Sequence, residues 1–273
     1  MKILEGGSLR DKAKNWFEDL RNSLVSMVEK HDGAEFKKKH WKHSGKGGGT
    51  MSIIKGNTIE KGGVNISTVS GKFSEKMQQR IPGALKDPSY WATGISVVLH
   101  PHNPNIPSMH FNTRYLVTEK CWFGGGMDIT PCLEFEDESQ KFHRDLKVMC
   151  DKHNKEYYPK HKAWCDDYFY LKHRQEPRGI GGIFFDYLNN DDFKKDFQYI
   201  RDVGEFFHDY VDKIITEKKN MKWTDLDKNI QLVKRGRYIE FNLLYDRGTK
   251  FGLETGGNTD AILMSLPPVA AWD

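Results

Sequence analysis

Two stretches of the chain set reactive polar side chains at every second residue. In Gly94–His100, Ser96 and His100 alternate with Ile95, Val97 and Leu99. In Met109–Val117, His110, Asn112 and Arg114 alternate with Met109, Phe111, Thr113, Tyr115 and Val117. A period of two is that of a β-strand, so each stretch reads as a strand with one apolar and one polar face. Arg grips a carboxylate through its planar fork, and Asn and Ser add directional hydrogen bonds. A single Arg is as readily a surface ion pair. A strand pair carrying Ser, His, Asn and Arg on its polar faces points instead to an anion site.

Eleven histidines also raise metal chemistry. His100, His102 and His110, with His143 and His173 further on, could supply nitrogen ligands at about 2 Å. Neither HExxH nor a helical i, i+4 His pair is present, so hydrogen-bonding and core roles compete. Asp186 closes a short strand, Ile180–Asp186, where catalytic groups are commonly presented; a turn or helix-capping carboxylate is the alternative. Thr255-Gly256-Gly257-Asn258 reads as an exposed turn that lets a large ligand approach or offers N–H groups to an anion. Lys234-Arg235-Gly236-Arg237 is short and runs into an apolar segment, which favours ion pairing over nucleic-acid binding. Gly45-Lys46-Gly47-Gly48-Gly49-Thr50 is not a phosphate loop, because Gly follows Lys46 where Ser or Thr is required.

The elements that would hold these groups follow from periodicity. Leu9, Ala13, Trp16, Phe17, Leu20, Leu24 and Val28 mark an amphipathic helix, capped by Ser8 with Asp11. Strands are expected at Met51–Lys55 and Val64–Ser70, and Pro101, Pro104 and Pro107 stiffen the link between the two central strands. Gly124-Gly125-Gly126 reads as a break, followed by helices near 138–154 and 157–174. Phe193, Phe197, Ile200, Phe207, Val211 and Ile214 trace a long helix, and Thr224 with Asp227 caps a short one ending near Val233. Arg237–Tyr245 alternates as a strand, with a turn at Asp246-Arg247-Gly248 into a further extended segment, Thr249–Leu253. The sum is one α+β domain over residues 1–273 with a mainly antiparallel sheet.

Composition narrows the classes. With 273 residues and 12% aromatic side chains the chain can bury a sizeable core, which excludes disorder. A net charge of +4 is too small to mark a nucleic-acid binder. Cys121, Cys132, Cys150 and Cys165 form no CxxC pair and read as reduced thiols. No signal peptide, transit peptide or membrane-spanning run is evident, so a cytoplasmic location is expected.

Five long segments, in one order, resemble oxygen-dependent coproporphyrinogen III oxidases: HPHNPNIPSMHFNTRY, WFGGGMDITP, YFYLKHRQEPRGIGGIFFD, RGRYIEFNLLYDRGTKFGL and GGNTDAILMSLPP. The resemblance implies a large curved antiparallel sheet flanked by helices, a homodimer, and no organic cofactor. It also implies oxidative decarboxylation of two propionates of coproporphyrinogen III to vinyl groups, with O2 as co-substrate, in haem synthesis. By position it implies substrate contacts at Ser96, Asn112, Thr113, Arg114, Gly256, Gly257 and Asn258. His110 matches a proton donor, Asp186 an acid that holds or deprotonates a pyrrole nitrogen, and His100, His110, His143 and His173 divalent-metal ligands. Three departures stand out: Tyr187 replaces a second acid after Asp186, and Asn258 and Ala271 stand where Arg is common. Each lost Arg would weaken a carboxylate contact by ~1–3 kcal/mol.

Overall fold

The computed structural model describes residues 8–254 and 258–272. Its centre is a seven-stranded antiparallel sheet in simple meander order. The strands are β1 (Lys37–Lys42), β2 (Lys46–Ile54), β3 (Ile59–Lys72), β4 (Ser89–Pro101), β5 (Ser108–Val117), β6 (Cys121–Thr130) and, at the far edge, β9 (Gly181–Leu188). A separate two-stranded ribbon joins β7 (Tyr170–Leu171) to β8 (Glu176–Pro177). The helices are α1 (Leu9–Asp32), α2 (Glu75–Gln78), α3 (Glu136–Asp151), α4 (Tyr157–Tyr168), α5 (Phe193–Lys218), α6 (Asp225–Leu244), α7 (Arg247–Glu254) and α8 (Thr259–Ile262), with a 3-10 turn at Leu263–Ser265.

One sheet face is a continuous apolar core. Val64, Ile95, Val97, Leu99, Met109, Phe111, Phe123, Met127 and Ile183 pack against α1, α3 and α5, with Phe111 stacked on Phe207 at 5.0 Å. The alternation in β5 is as the sequence predicts: Met109, Phe111, Thr113 and Tyr115 are buried, while His110, Asn112 and Arg114 are half-exposed. The opposite face is covered at one end by α6 and the 263–265 turn. There Tyr238 meets the His100 ring edge-on at 5.0 Å, and Gln231 and Arg235 donate to the Pro101 carbonyl. Capping boxes close α1 at Ser8–Asp11 and α6 at Thr224–Asp227.

Several expectations are corrected. Arg237–Leu244 is helical, part of α6 with Tyr245 as its C-cap, and Thr249–Leu253 lies within α7. The buried stripe of α6 includes Gln231, Arg235, Tyr238 and Asn242, spaced four, three and four apart; its polar members conceal the helical period. The glycine run 47–49 lies inside β2, and Gly124–Gly126 lie inside β6 rather than interrupting the sheet. The helix expected over 157–174 stops at Tyr168 and gives way to the ribbon. Arg235 is buried against Glu60 at 2.8 Å and Arg237 lies 3.2 Å from Glu176, so this basic run does form ion pairs.

Two buried histidines make stability pH-dependent. Burial pushes His100 down to about 3 and His161 to about 4, so both are neutral in the folded chain. Their folded values lie below the unfolded value near 6.5. The stability they contribute is therefore complete above about pH 6.5 and is lost as pH falls toward those folded values. The urea midpoint should hold from pH 7.5 to about pH 6.5 and fall from there to pH 5; an unchanged midpoint down to pH 5 contradicts the assignment.

Candidate active site

Antiparallel pairing puts directly opposed residues on one face, which fixes three rows across β4, β5 and β6. Val98, His110 and Asp128 form one row, Ser96, Asn112 and Gly126 the next, and Gly94, Arg114 and Gly124 the third. The polar face thus has His, Asn and Arg along a central strand, flanked mostly by Ser and Gly. That makes a low floor open to a broad ligand.

Arg114 donates from Nη2 to Asp186 Oδ2 at 2.6 Å, with the two side chains 37% and 18% exposed. Asp186 reaches it because β9 is irregular here: Phe185 pairs with Gly125 and Leu188 with Phe123, so Asp186 and Tyr187 together oppose Gly124. Such a bulge re-aims a side chain. Tyr187 takes φ +58, its N–H donates to Asp186 Oδ1 at 3.0 Å, and its ring lies 5.4 Å from that of Trp122. Gly124 leaves room beneath the pair: a Cβ there would sit 2.4 Å from Asp186 Oδ1 and 3.0 Å from Arg114 Nη2 and would push both side chains aside.

His110 Nδ1 lies 2.6 Å from Asp128 Oδ1, and Asn112 Nδ2 lies 3.1 Å from His110 Nε2. With the Asn112 amide donating, Nε2 is the acceptor and the proton sits on Nδ1, facing Asp128. Turning the Asn112 amide over would let its oxygen accept from a protonated Nε2, so both charge states of His110 can be held. Asp128 is 2% exposed and is itself gripped by Arg178. Burial raises its carboxyl, but the Arg178 guanidinium and the His110 hydrogen bond outweigh that and hold it below the usual carboxylate range.

Arg178 continues inward to Asn242 Oδ1 at 3.1 Å, and Asn242 Nδ2 donates to Ser265 Oγ at 3.1 Å. The Ser265 carbonyl accepts from His100 Nε2 at 2.9 Å. A polar chain therefore links the open floor to the turn that covers its end. Asp128 and Arg178 escape the sequence reading because the glycine run disguises β6. With β6 read as a strand, parity puts Asp128 beside His110.

The expected positions divide clearly. Ser96, His110, Asn112, Arg114 and Asp186 come together. Thr113 does not: its parity is that of Phe111, and it is buried beneath the floor with Ile95 as its β4 partner. Asn258 caps α8, its side chain accepting from Ala261 N–H at 3.0 Å. Gly256 and Gly257 lie outside the described residues.

The four histidines expected as one metal-ligand set have separate partners. His100 binds Ser108 and Ser265, His143 binds Tyr158 and Ile180, and His173 binds Tyr245 and Glu240. Both ring nitrogens of each are engaged, as are those of His110, and no cluster of ligating side chains forms among the described residues. The set does not fit a shared metal ion.

A family model described as coproporphyrinogen III oxidase matches residues 12–273. The chain belongs to the coproporphyrinogen III oxidase family. Within it, the chain is 52% identical to an oxygen-dependent coproporphyrinogen-III oxidase of Rickettsia bellii (strain OSU 85-389) over 273 residues, covering 96% of this chain and 98% of that protein. It is likewise 52% identical to the protein of that description from Rickettsia akari (strain Hartford), over 95% of this chain and 96% of the relative. Membership agrees with the antiparallel sheet, and no helix among the described residues is long and apolar enough to cross a membrane. Of the departures from the family pattern, Tyr187 forms the bulge beside Asp186, and the Ala271 N–H donates to the Leu232 carbonyl at 3.0 Å.

Proposed function

We propose that the open face of β4–β6 converts two propionates of coproporphyrinogen III to vinyl groups, with O2 as the electron acceptor and protoporphyrinogen IX as the product. The observation that carries this reading is the half-exposed Arg114–Asp186 pair beside His110 on a floor of Ser and Gly. In each conversion the bond to the carboxylate breaks and its electron pair becomes the new double bond. The C–H electron pair on the neighbouring carbon passes with its proton to O2, which takes up one further proton to become H2O2, and CO2 leaves.

Each residue then has a role suited to its chemistry. Arg114 gives one N–H to Asp186 and has further fork donors for a propionate, which Ser96 and Asn112 help to orient. Loss of the C–H pair leaves positive charge shared with the pyrrole nitrogen. The Asp186 carboxylate accepts the pyrrole N–H and stabilises that charge. His110, backed by Asp128, moves the proton. Gly256, Gly257 and Asn258 are assigned to further contacts with the substrate. The working form is a cytoplasmic homodimer, a single α+β domain per chain.

Chromatography of the products tests the assignment. The wild-type protein should convert coproporphyrinogen III in air to a dicarboxylic product. His110→Ala should retain thermal stability and substrate binding while turnover falls about 10²-fold or more. Full turnover by His110→Ala removes the residue from the reaction.

A further inference from the structure

The cross-strand row containing Arg114 continues across the sheet to its first strand. From Arg114 it runs through Gly94 on β4, Ser67 on β3 and Gly49 on β2 to Trp41 on β1. All five positions face the same side of the sheet. At strand spacings near 4.8 Å, Gly49 and Arg114 are separated by about 14 Å of floor bearing no side chain larger than Ser.

Trp41 closes that floor at its far end. Its indole lies over Gly49: a Cβ added there would be 2.7 Å from Trp41 Cζ2 and 2.8 Å from Cε2. Position 49 has no room for a Cβ, since the Ile66 carbonyl oxygen at 2.4 Å and the Trp41 ring both stand in its way. Trp41 is only partly buried and belongs to neither apolar cluster among the described residues. An indole set on a glycine bed and outside the core has a π-face to offer a ligand rather than a packing role.

Resting on the substrate proposed above, we infer that Trp41 is a second anchoring point, taking a pyrrole ring of the macrocycle distant from the one at Arg114 and Asp186. Porphyrinogen pyrroles are separate electron-rich aromatic rings joined by saturated bridges. Each can stack on an indole or direct its N–H at the indole face. The reacting ring is held by charge at one end of the trough, and a non-reacting ring by the aromatic wall at the other. The remote ring is held equally in ground state and transition state, so its binding energy appears in KM rather than in kcat.

The test separates this anchor from the activity itself. For Trp41→Ala, KM for coproporphyrinogen III should rise about tenfold while kcat stays within twofold; Trp41→Phe should stay near wild type. Trp41→Leu keeps apolar bulk without a π-face and should resemble Trp41→Ala; it decides the matter if the alanine variant folds poorly. Equilibrium binding of coproporphyrin III, the oxidised and unreactive macrocycle, should weaken in parallel. Unchanged KM and unchanged porphyrin binding in both variants, with the wild type active, overturn the Trp41 anchor alone. A wild type that binds coproporphyrin III through Trp41 but turns nothing over overturns the activity and leaves the anchor standing.

Discussion

Arg178→Met should destabilise the protein by about 3–5 kcal/mol, the cost expected when one member of a buried ion pair is removed. Both partners are nearly inaccessible, Arg178 and Asp128 each being 2% exposed at the side chain. The guanidinium is also sandwiched among rings, 4.1 Å from Phe169, 4.4 Å from Tyr238 and 4.7 Å from Phe241. Methionine can occupy that space, so the loss isolates the charge left on Asp128. Asp128 is depressed below the usual carboxylate range. The stability it contributes is therefore complete above about pH 4 and is lost as pH falls through its folded value. The check is urea unfolding at pH 7.5. Adding Asp128→Asn to Arg178→Met should restore part of the loss. A change under about 1 kcal/mol in the single variant would show that Asp128 does not depend on Arg178.

Arg114→Ala should lower kcat/KM for coproporphyrinogen III about 10²-fold, with little change in folding stability. The pair with Asp186 is too exposed to contribute much more than about 1 kcal/mol to the fold. Against a substrate carboxylate the same fork supplies charge-assisted bonds of about 1.5–3 kcal/mol and also positions Asp186. Arg114→Lys should recover little, since one ammonium cannot fork to two carboxylates in plane. Steady-state kinetics with a melting curve settle it: equal losses of stability and activity would make Arg114 a structural residue.

The site was legible wherever its residues lie on regular strands. Alternation over Gly94–Val97 and Met109–Tyr115 separates core from floor, with Thr113 on the core side, whereas Val98 and His100 are buried although they share the floor's side. Resemblance alone had made Thr113 a contact, and the β5 pleat turns its side chain away. Alternation failed where glycine erased it. Gly47–Gly49 and Gly124–Gly126 carry no pattern of their own, so β2 was clipped and β6 read as a break, which hid Trp41's bed and Asp128. It also failed where a helix buries polar groups: Arg235 and Asn242 sit on the inner stripe of α6, giving that segment the apolar–polar rhythm of a strand. The metal set was out of reach of spacing, because His143 on α3 and His173 beyond α4 reach different partners.

Oxygen-coupled decarboxylation on this face is open to direct test. The most direct measurement counts CO2 released per coproporphyrinogen III by metal-stripped protein, in air and under nitrogen. Two CO2 per substrate are expected in air, none under nitrogen, and no gain when metal is returned. Equal release without oxygen, or release only after metal is restored, would contradict the oxygen-coupled reaction.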